Sequence, residues 1–165
     1  MALQLTSPAF SNGASVPVRY TCEGEDISPP LQWSGRPEGT RSFALVCEDP
    51  DAPGGVFHHW AVYDIPLSQT ELHEGYATEA RVAELGPAVG LGVRKVHQAV
   101  NGFGNLGYGG PCPPRGHGTH HYHFQLFALR IEHLNVGDSP DCRTVAAEAR
   151  AHAIEQTELI GTYAR

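Results

Sequence analysis

HHYHFQLFALRI, residues 120–131, is the stretch that decides between a helical and a sheet-built chain. It is aromatic and aliphatic, holds no Gly or Pro, and reads as the longest strand of the sequence. Residues two apart share a face of a strand, so His120, Tyr122, Phe124 and Leu126 point one way. His121, His123, Gln125 and Phe127 point the other. Working outward, residues 41–47 (RSFALVC) read as a second strand after the turn-forming residues 35–40. Residues 59–65 (HWAVYDI) read as a third, ended by Pro66. Residues 93–100 predict another strand, and residues 159–163 a short closing one. Ser68 with Glu71 fits a capping box, which predicts one helical turn over residues 68–73. A single helix is expected late, over residues 144–154 (TVAAEARAHAI), with Val145, Ala149 and His152 on one face. Ser139 is its expected cap, Pro140 suits its first position, and Asp141 its positive end. With 19 Gly and 13 Pro in 165 residues, a bundle of long helices is disfavoured. Short strands, frequent turns and one late helix predict a mostly β chain, a sandwich or barrel with a helical cap.

The length predicts one domain over residues 1–165. Eleven basic residues, of which Lys95 is the lone lysine, stand against 18 acidic ones, for a net charge of −7. No Lys/Arg cluster is present, which argues against a nucleic-acid partner and against docking on an anionic membrane. No stretch approaches the ~18 apolar residues of a membrane span, so no stable membrane insertion is expected. Residues 1–12 have no basic start and no apolar block, which leads to an expected cytoplasmic location. The cysteines are Cys22, Cys47, Cys112 and Cys142, with no C-x-x-C pair. In the cytosol reduced thiols are the expected state, and a Cys22–Cys112 pairing is the open alternative.

GFGNLG, residues 102–107, matches a dinucleotide-binding fingerprint by letter. That motif needs a helix opening at its last glycine, and YGGPCPP follows instead. Residues 101–118 are therefore a loop, stiffened by prolines and open to close backbone approach at its glycines. Such a loop can turn N–H groups toward a small ligand. Four of the chain's ten histidines, His117, His120, His121 and His123, follow it or lie within it, while Glu48, Asp49, Asp51, His58 and His59 lie earlier. Three readings compete for them. His121 and His123 form an H-x-H that can ligate a metal, although no Glu follows within residues 124–130. Hydrogen-bonded histidines without a ligand are the ordinary case, and this suits His73, His97 and His133. The third reading is an anion pocket of histidine, tyrosine and glycine backbone, with a carboxylate orienting the imidazoles.

Residues 28–53, SPPLQWSGRPEGTRSFALVCEDPDAP, followed by HHW at residues 58–60, resemble the phosphatidylethanolamine-binding protein family, in its prokaryotic Raf-kinase-inhibitor-like branch. GYGGPCPPRGHGTHHYHFQLFAL from Gly107 and the ending TELIGTYAR carry the same resemblance. It implies a Greek-key β-sandwich of two antiparallel sheets with a C-terminal helix and short helical turns. It also implies a small pocket for phosphate-like anions at one end, with no cofactor and no metal. Residue by residue, the resemblance places Asp49, His59, His120 and Tyr122 in the pocket, with Phe57 as an aromatic wall. Gly110 and the backbone through Pro114 complete the set. Two positions depart from the family pattern: His121 stands where Arg is usual, and Ala151 where Gly commonly precedes the helical His.

The expected function is binding of phosphate, a phosphomonoester or a phospholipid-like head group, with a regulatory role through a phosphoprotein partner. A homodimer is implied by the bacterial branch. A carboxylate bonded to His59 is expected to raise the pKa of its imidazole, so that anions bind more tightly as pH falls from about 8 to 6. The alternative is an enzyme, a hydrolase or an isomerase/cyclase, using Asp49 with His59 and His120 as an acid/base pair. Cys112 is its candidate nucleophile, since no G-x-S-x-G is present.

Overall fold

The computed structural model of the chain describes residues 2–76 and 96–165. Its strands are β1 (Gln4–Thr6), β2 (Leu31–Ser34), β3 (Ser42–Asp49), β4 (Phe57–Ile65), β5 (Glu71–Leu72), β6 (His97–Gln98), β7 (His120–Leu129) and β8 (Ala153–Tyr163). A 3-10 turn lies at Val18–Tyr20, and helix α1 spans Cys142–His152. The strands form two antiparallel sheets, one in the order β1-β2-β5 and one in the order β6-β4-β3-β7-β8. The pairing of β3 with β7 skips the intervening chain, the crossover that separates a Greek-key arrangement from a meander. The mostly β, two-sheet architecture expected from the sequence is therefore the one observed.

Every residue of β3 is buried, because the larger sheet is covered on both faces. Phe43, Leu45 and Cys47 join Trp60, Val62, Phe124 and Leu126 in a core against Leu5, Leu31, Trp33 and Leu72 of the smaller sheet. The alternate residues Ala44 and Val46 pack with Ala61, Phe127 and Leu129 against Val145, Ala146 and Ala149 of α1. Alanines on both sides of this second interface let the helix approach the sheet closely. A strand covered on both faces loses the in/out alternation and reads as a continuous apolar run, as SFALVC does.

Four local expectations change. Residues 68–73 form no helical turn: Glu71 and Leu72 pair with Gln32 and Leu31, and Leu72 is buried in the core. The gain from burying a leucine outweighs a capping box on the surface. Of the strand expected over residues 93–100, residues 93–95 lie outside the described residues, and β6 covers only His97–Gln98. The cap of α1 is Asp141, not Ser139; its carboxylate accepts from the Thr144 N–H at 2.8 Å. An anionic acceptor at the helix's positive end makes the stronger bond. Finally, the closing strand begins at Ala153 and pairs with β7 all the way from Leu129 to His120. Its first half is polar and solvent-facing, IEQTE, so only the ladder reveals it.

The sheet gathers three strand ends at one place. Asp49 ends β3 opposite Phe57, which opens β4, while His120 and Tyr122 open β7 on the other side of β3.

Candidate functional site

Asp49 is 3% exposed and both of its carboxylate oxygens are engaged. Oδ1 accepts the Asp51 N–H at 2.8 Å, closing the turn that leaves β3. Oδ2 lies 2.6 Å from Nδ1 of His120, which is 2% exposed. A carboxylate accepts, so His120 carries its proton on Nδ1 and donates it to Asp49. The other ring nitrogen, Nε2, lies 2.6 Å from Nδ1 of His117, an exposed residue of the loop. The three side chains form a chain of hydrogen bonds from solvent to a buried carboxylate.

His59 sits beside this chain and has a different partner. Its Nδ1 lies 2.6 Å from the Gly109 carbonyl oxygen. A carbonyl can only accept, so Nδ1 bears the proton and Nε2 of the neutral ring bears a lone pair. Burial pushes the His59 pKa below its ordinary value, more strongly than the Gly109 carbonyl and the Asp49 and Asp26 charges push it up. This corrects the expectation that a carboxylate bonds His59 and raises its pKa. Asp49 is committed to His120, and the partner of His59 is main chain.

The remaining walls are aromatic. The Phe57 ring centre is 4.8 Å from His59 and 4.8 Å from Phe103, and the Tyr122 ring stands edge-on to His59 at 5.2 Å. Asp49, Phe57, His59, Pro114, His120 and Tyr122 line one cavity of about 190 Å³, which Phe103 and Cys112 also border. The Tyr122 hydroxyl is buried and has no hydrogen-bond partner among the described residues. Burial, then the Asp49 charge, drives its pKa well above the usual phenol value, so it remains a neutral donor.

Six of the seven expected site residues thus meet in one cavity; Gly110 does not line it. The Gly110 N–H donates to Asp26 Oδ1 at 2.8 Å, and a Cβ there would stand 2.3 Å from the Tyr20 carbonyl oxygen. Other loop glycines also spend their N–H groups inside the chain: Gly102 on His58, Gly107 on Ala99 and Gly109 on His59. The glycines allow close packing of the loop rather than lending donors to a ligand. Across residues 110–114, three of which are proline, the Cys112 N–H is the single main-chain donor without an acceptor among the described residues.

The cysteines divide. Cys22 and Cys112 form a disulfide across 90 residues, in place of the reduced thiols expected. The Cys22 N–H bonds the Pro111 carbonyl at 3.1 Å, which brings the two segments together. Cys112 is thereby removed as a nucleophile. Cys47 and Cys142 are free and buried, and burial raises both thiols above their ordinary pKa.

The other histidines hold separate carboxylates. His58 Nε2 is 2.8 Å from Glu48, which also takes Arg150 at 2.6 Å on the helix side of the sheet. His121, in the place where the resemblance expects Arg, bonds Asp51 Oδ2 through both its N–H and its Nδ1 at 2.8 Å. It therefore still braces the Asp49–Asp51 turn from outside. His123 pairs with Glu158 at 3.1 Å, so the H-x-H nitrogens diverge onto different partners. Among the described residues no group of three or more His, Cys, Asp or Glu is arranged to hold a metal. Sequence reasoning left His117 without a role and did not single out Phe103. The GHGTH spacing, which lets residues three apart meet across a turn, was the signal for the first.

The comparisons with known proteins agree on the family and the fold. Residues 6–164 match the family model described as phosphatidylethanolamine-binding protein. A UPF0098 protein of Aquifex aeolicus is 44% identical over 163 residues, covering 99% of this chain and 89% of that one. A Mycobacterium tuberculosis relative that bears a lipoprotein name, LppC, is 38% identical over 98% of this chain and 72% of its own length. Among the described residues here, no helix is long and apolar enough to cross a membrane. The crystal structure of Escherichia coli YbcL, titled a new member of the mammalian PEBP family, superposes with a TM-score of 0.84 at 34% identity. That match covers 100% of this chain and 99% of YbcL. Family model, sequence relatives and fold coincide over nearly the whole chain, which belongs to the phosphatidylethanolamine-binding protein family.

Proposed function

We propose that the chain binds a small phosphate-bearing anion, such as phosphate, a phosphomonoester or a phospholipid-like head group, in the cavity between Asp49, His59, His120 and Tyr122. The observation that carries this reading is the Tyr122 hydroxyl, buried at the cavity wall with no acceptor. An orphaned buried donor costs about 1–3 kcal/mol, and a ligand oxygen seated there offsets it. Proline and aromatic walls restrict the space to something small. A regulatory role, Raf-kinase-inhibitor-like, would follow if the phosphate sat on a partner protein. Titration calorimetry with inorganic phosphate, phosphoethanolamine and phosphotyrosine tests the reading. Binding of at least one is expected, weakened about tenfold or more in Tyr122→Phe. No heat with any of the three, or an unchanged affinity in the variant, removes it.

One observation favours a second reading. The His117–His120–Asp49 chain can carry a proton from solvent to a buried group, as acid/base catalysis requires. With Cys112 in a disulfide, such an enzyme would activate water rather than use a thiol. A phosphomonoester or small ester that is turned over by the wild type, and bound but not turned over by His120→Asn, supports it.

Assembly and location are proposals as well. A homodimer fits the exposed apolar residues Val18, Val56 and Leu106, and sedimentation equilibrium tests it. The cytoplasmic placement loses the support of reduced thiols, because the Cys22–Cys112 disulfide fits an oxidising compartment. Cell fractionation decides between the two.

A further inference from the structure

We infer that the cavity selects the monoprotonated form of a phosphomonoester, whose P–OH donates to His59 Nε2. This rests on the phosphate reading above and narrows it to one protonation state.

The first support is the tautomer of His59. Its Nδ1 proton is fixed on the Gly109 carbonyl, so the other nitrogen can accept and cannot donate. Nε2 makes no hydrogen bond to the described residues. Nor is it among the sealed, unpartnered side-chain atoms, which among the described residues are Trp33 Nε1 and Tyr122 OH. A residue 3% exposed that lines the cavity therefore opens this lone pair onto the cavity. A ligand must bring a proton to it.

The second support is charge. Among the described residues no Lys or Arg lines the cavity. The Arg165 Nε donates to the Pro113 carbonyl at 2.7 Å, and its charge acts on Tyr122. Asp49 and Asp26 are the carboxylates that act on His59; Tyr122 and the Gly109 and Gly110 backbone are the polar groups around it. Were His120 an imidazolium, its charge would only cancel that of Asp49. A dianion would then meet, among the described residues, only the Arg165 charge that acts on Tyr122, and a histidine nitrogen with its lone pair forward. A monoanion carrying one proton matches that acceptor. Burial, which holds His59 neutral, acts in the same direction. Binding still tightens on acidification, but the proton responsible sits on the ligand instead of the imidazole.

Calorimetry on the wild-type chain with methyl phosphate and methyl sulfate separates the possibilities. The two are close in size and shape, and both are monoanions at pH 5.5, but only the phosphate carries a proton. Methyl phosphate is expected to bind about 10- to 100-fold more tightly than methyl sulfate at that pH. Its affinity is expected to fall about 100-fold by pH 8, as the monoanion becomes scarce above a second pKa near 6. Equal binding of methyl sulfate, or undiminished binding at pH 8, overturns the protonation inference and leaves the phosphate reading standing. If methyl phosphate and inorganic phosphate both fail to bind at either pH, the phosphate reading falls and this inference falls with it.

Discussion

His117 Nδ1 stands 2.6 Å from His120 Nε2, so both ring nitrogens of the buried histidine are engaged within the chain. His120 is therefore a relay between Asp49 and a surface residue, while His59 and Tyr122, which line the cavity, each carry a polar atom without a partner among the described residues. The division follows from topology. His120 enters from β7 beside the end of β3, within reach of Asp49, whereas His59 lies on β4 and faces the Gly109 carbonyl of the loop.

Asp49→Ala strands the buried His120 Nδ1 proton and also removes the acceptor of the Asp51 N–H, at an exposed residue. The expected cost is about 2–5 kcal/mol, from losing one partner of a buried charged pair. His120→Ala should cost less, because the Asp49 carboxylate keeps its bond to Asp51. A double-mutant cycle on urea unfolding should show coupling of about 0.5–3 kcal/mol. Simple additivity would mean that the pair is not coupled in solution.

Gly102 marks how closely the loop approaches the aromatic wall. A Cβ there would lie 2.6–2.9 Å from three carbons of the Phe57 ring, so Gly102→Ala must push that ring aside. A fold that survives with a loss of about 1–3 kcal/mol and a weakened affinity for phosphate is expected. Gly110→Ala meets the Tyr20 carbonyl and the Thr21 Cα instead, main chain that cannot swing away, together with the Asp26 carboxylate, and should be the more destabilising of the two. Thermal melts of both variants order them.

The strands that carry the site were legible because their burial leaves a pattern. SFALVC is apolar throughout under two covers, and the alternation in residues 120–126 set His120 and Tyr122 on one face. What escaped was pairing across long separations. Asp49 meets His120 over 71 residues and Cys22 meets Cys112 over 90, and no local period encodes either contact. The resemblance named the pocket residues but not their partners, hence the misassigned carboxylate at His59. Gly110, expected among the ligand contacts, is packed against Tyr20 and Asp26, and a glycine required for packing leaves the same letter as one required for binding. The polar half of β8 was missed because an edge strand facing solvent carries little apolar signal.

Phe103 is about half exposed, yet its ring packs edge-on to Phe57 at 4.8 Å and to His59 at 5.6 Å. It can extend the cavity for an aromatic or apolar group attached to the phosphate. Phe103→Ala should reduce affinity for phenyl phosphate by about 2- to 10-fold, the worth of one aromatic contact, and leave inorganic phosphate unchanged. Equal losses for both ligands would assign Phe103 to supporting His59.

The Cys22–Cys112 bond ties the cavity loop to the segment after the 3-10 turn and closes a long loop in the unfolded chain. Replacing both cysteines with serine should cost about 2–5 kcal/mol. Because Cys112 borders the cavity, phosphate affinity should drop as well, and reduction of the wild type should reproduce both effects. Denaturant midpoints with and without reductant measure the first, calorimetry the second.

Acid should act on stability in two separate windows. His59 has a folded pKa below its unfolded value of about 6.5, so the unfolded chain binds a proton there more readily. Its contribution is fully present above pH 6.5 and declines as pH falls below that value. Glu48 behaves as a depressed carboxylate: burial pushes its pKa up, but the His58 hydrogen bond and Arg150 bring it net below the ordinary value. The stability it supplies is present above about pH 4.5 and is lost as pH falls through its folded pKa. Urea midpoints taken from pH 7.5 to pH 3 in wild type, His59→Phe and Glu48→Gln separate the two. The His59 variant should lose less stability than wild type between pH 6.5 and 5, and the Glu48 variant less below pH 4.5. Parallel curves for wild type and His59→Phe above pH 5 would show that the imidazole is not held neutral by burial, and would return the proton to the histidine.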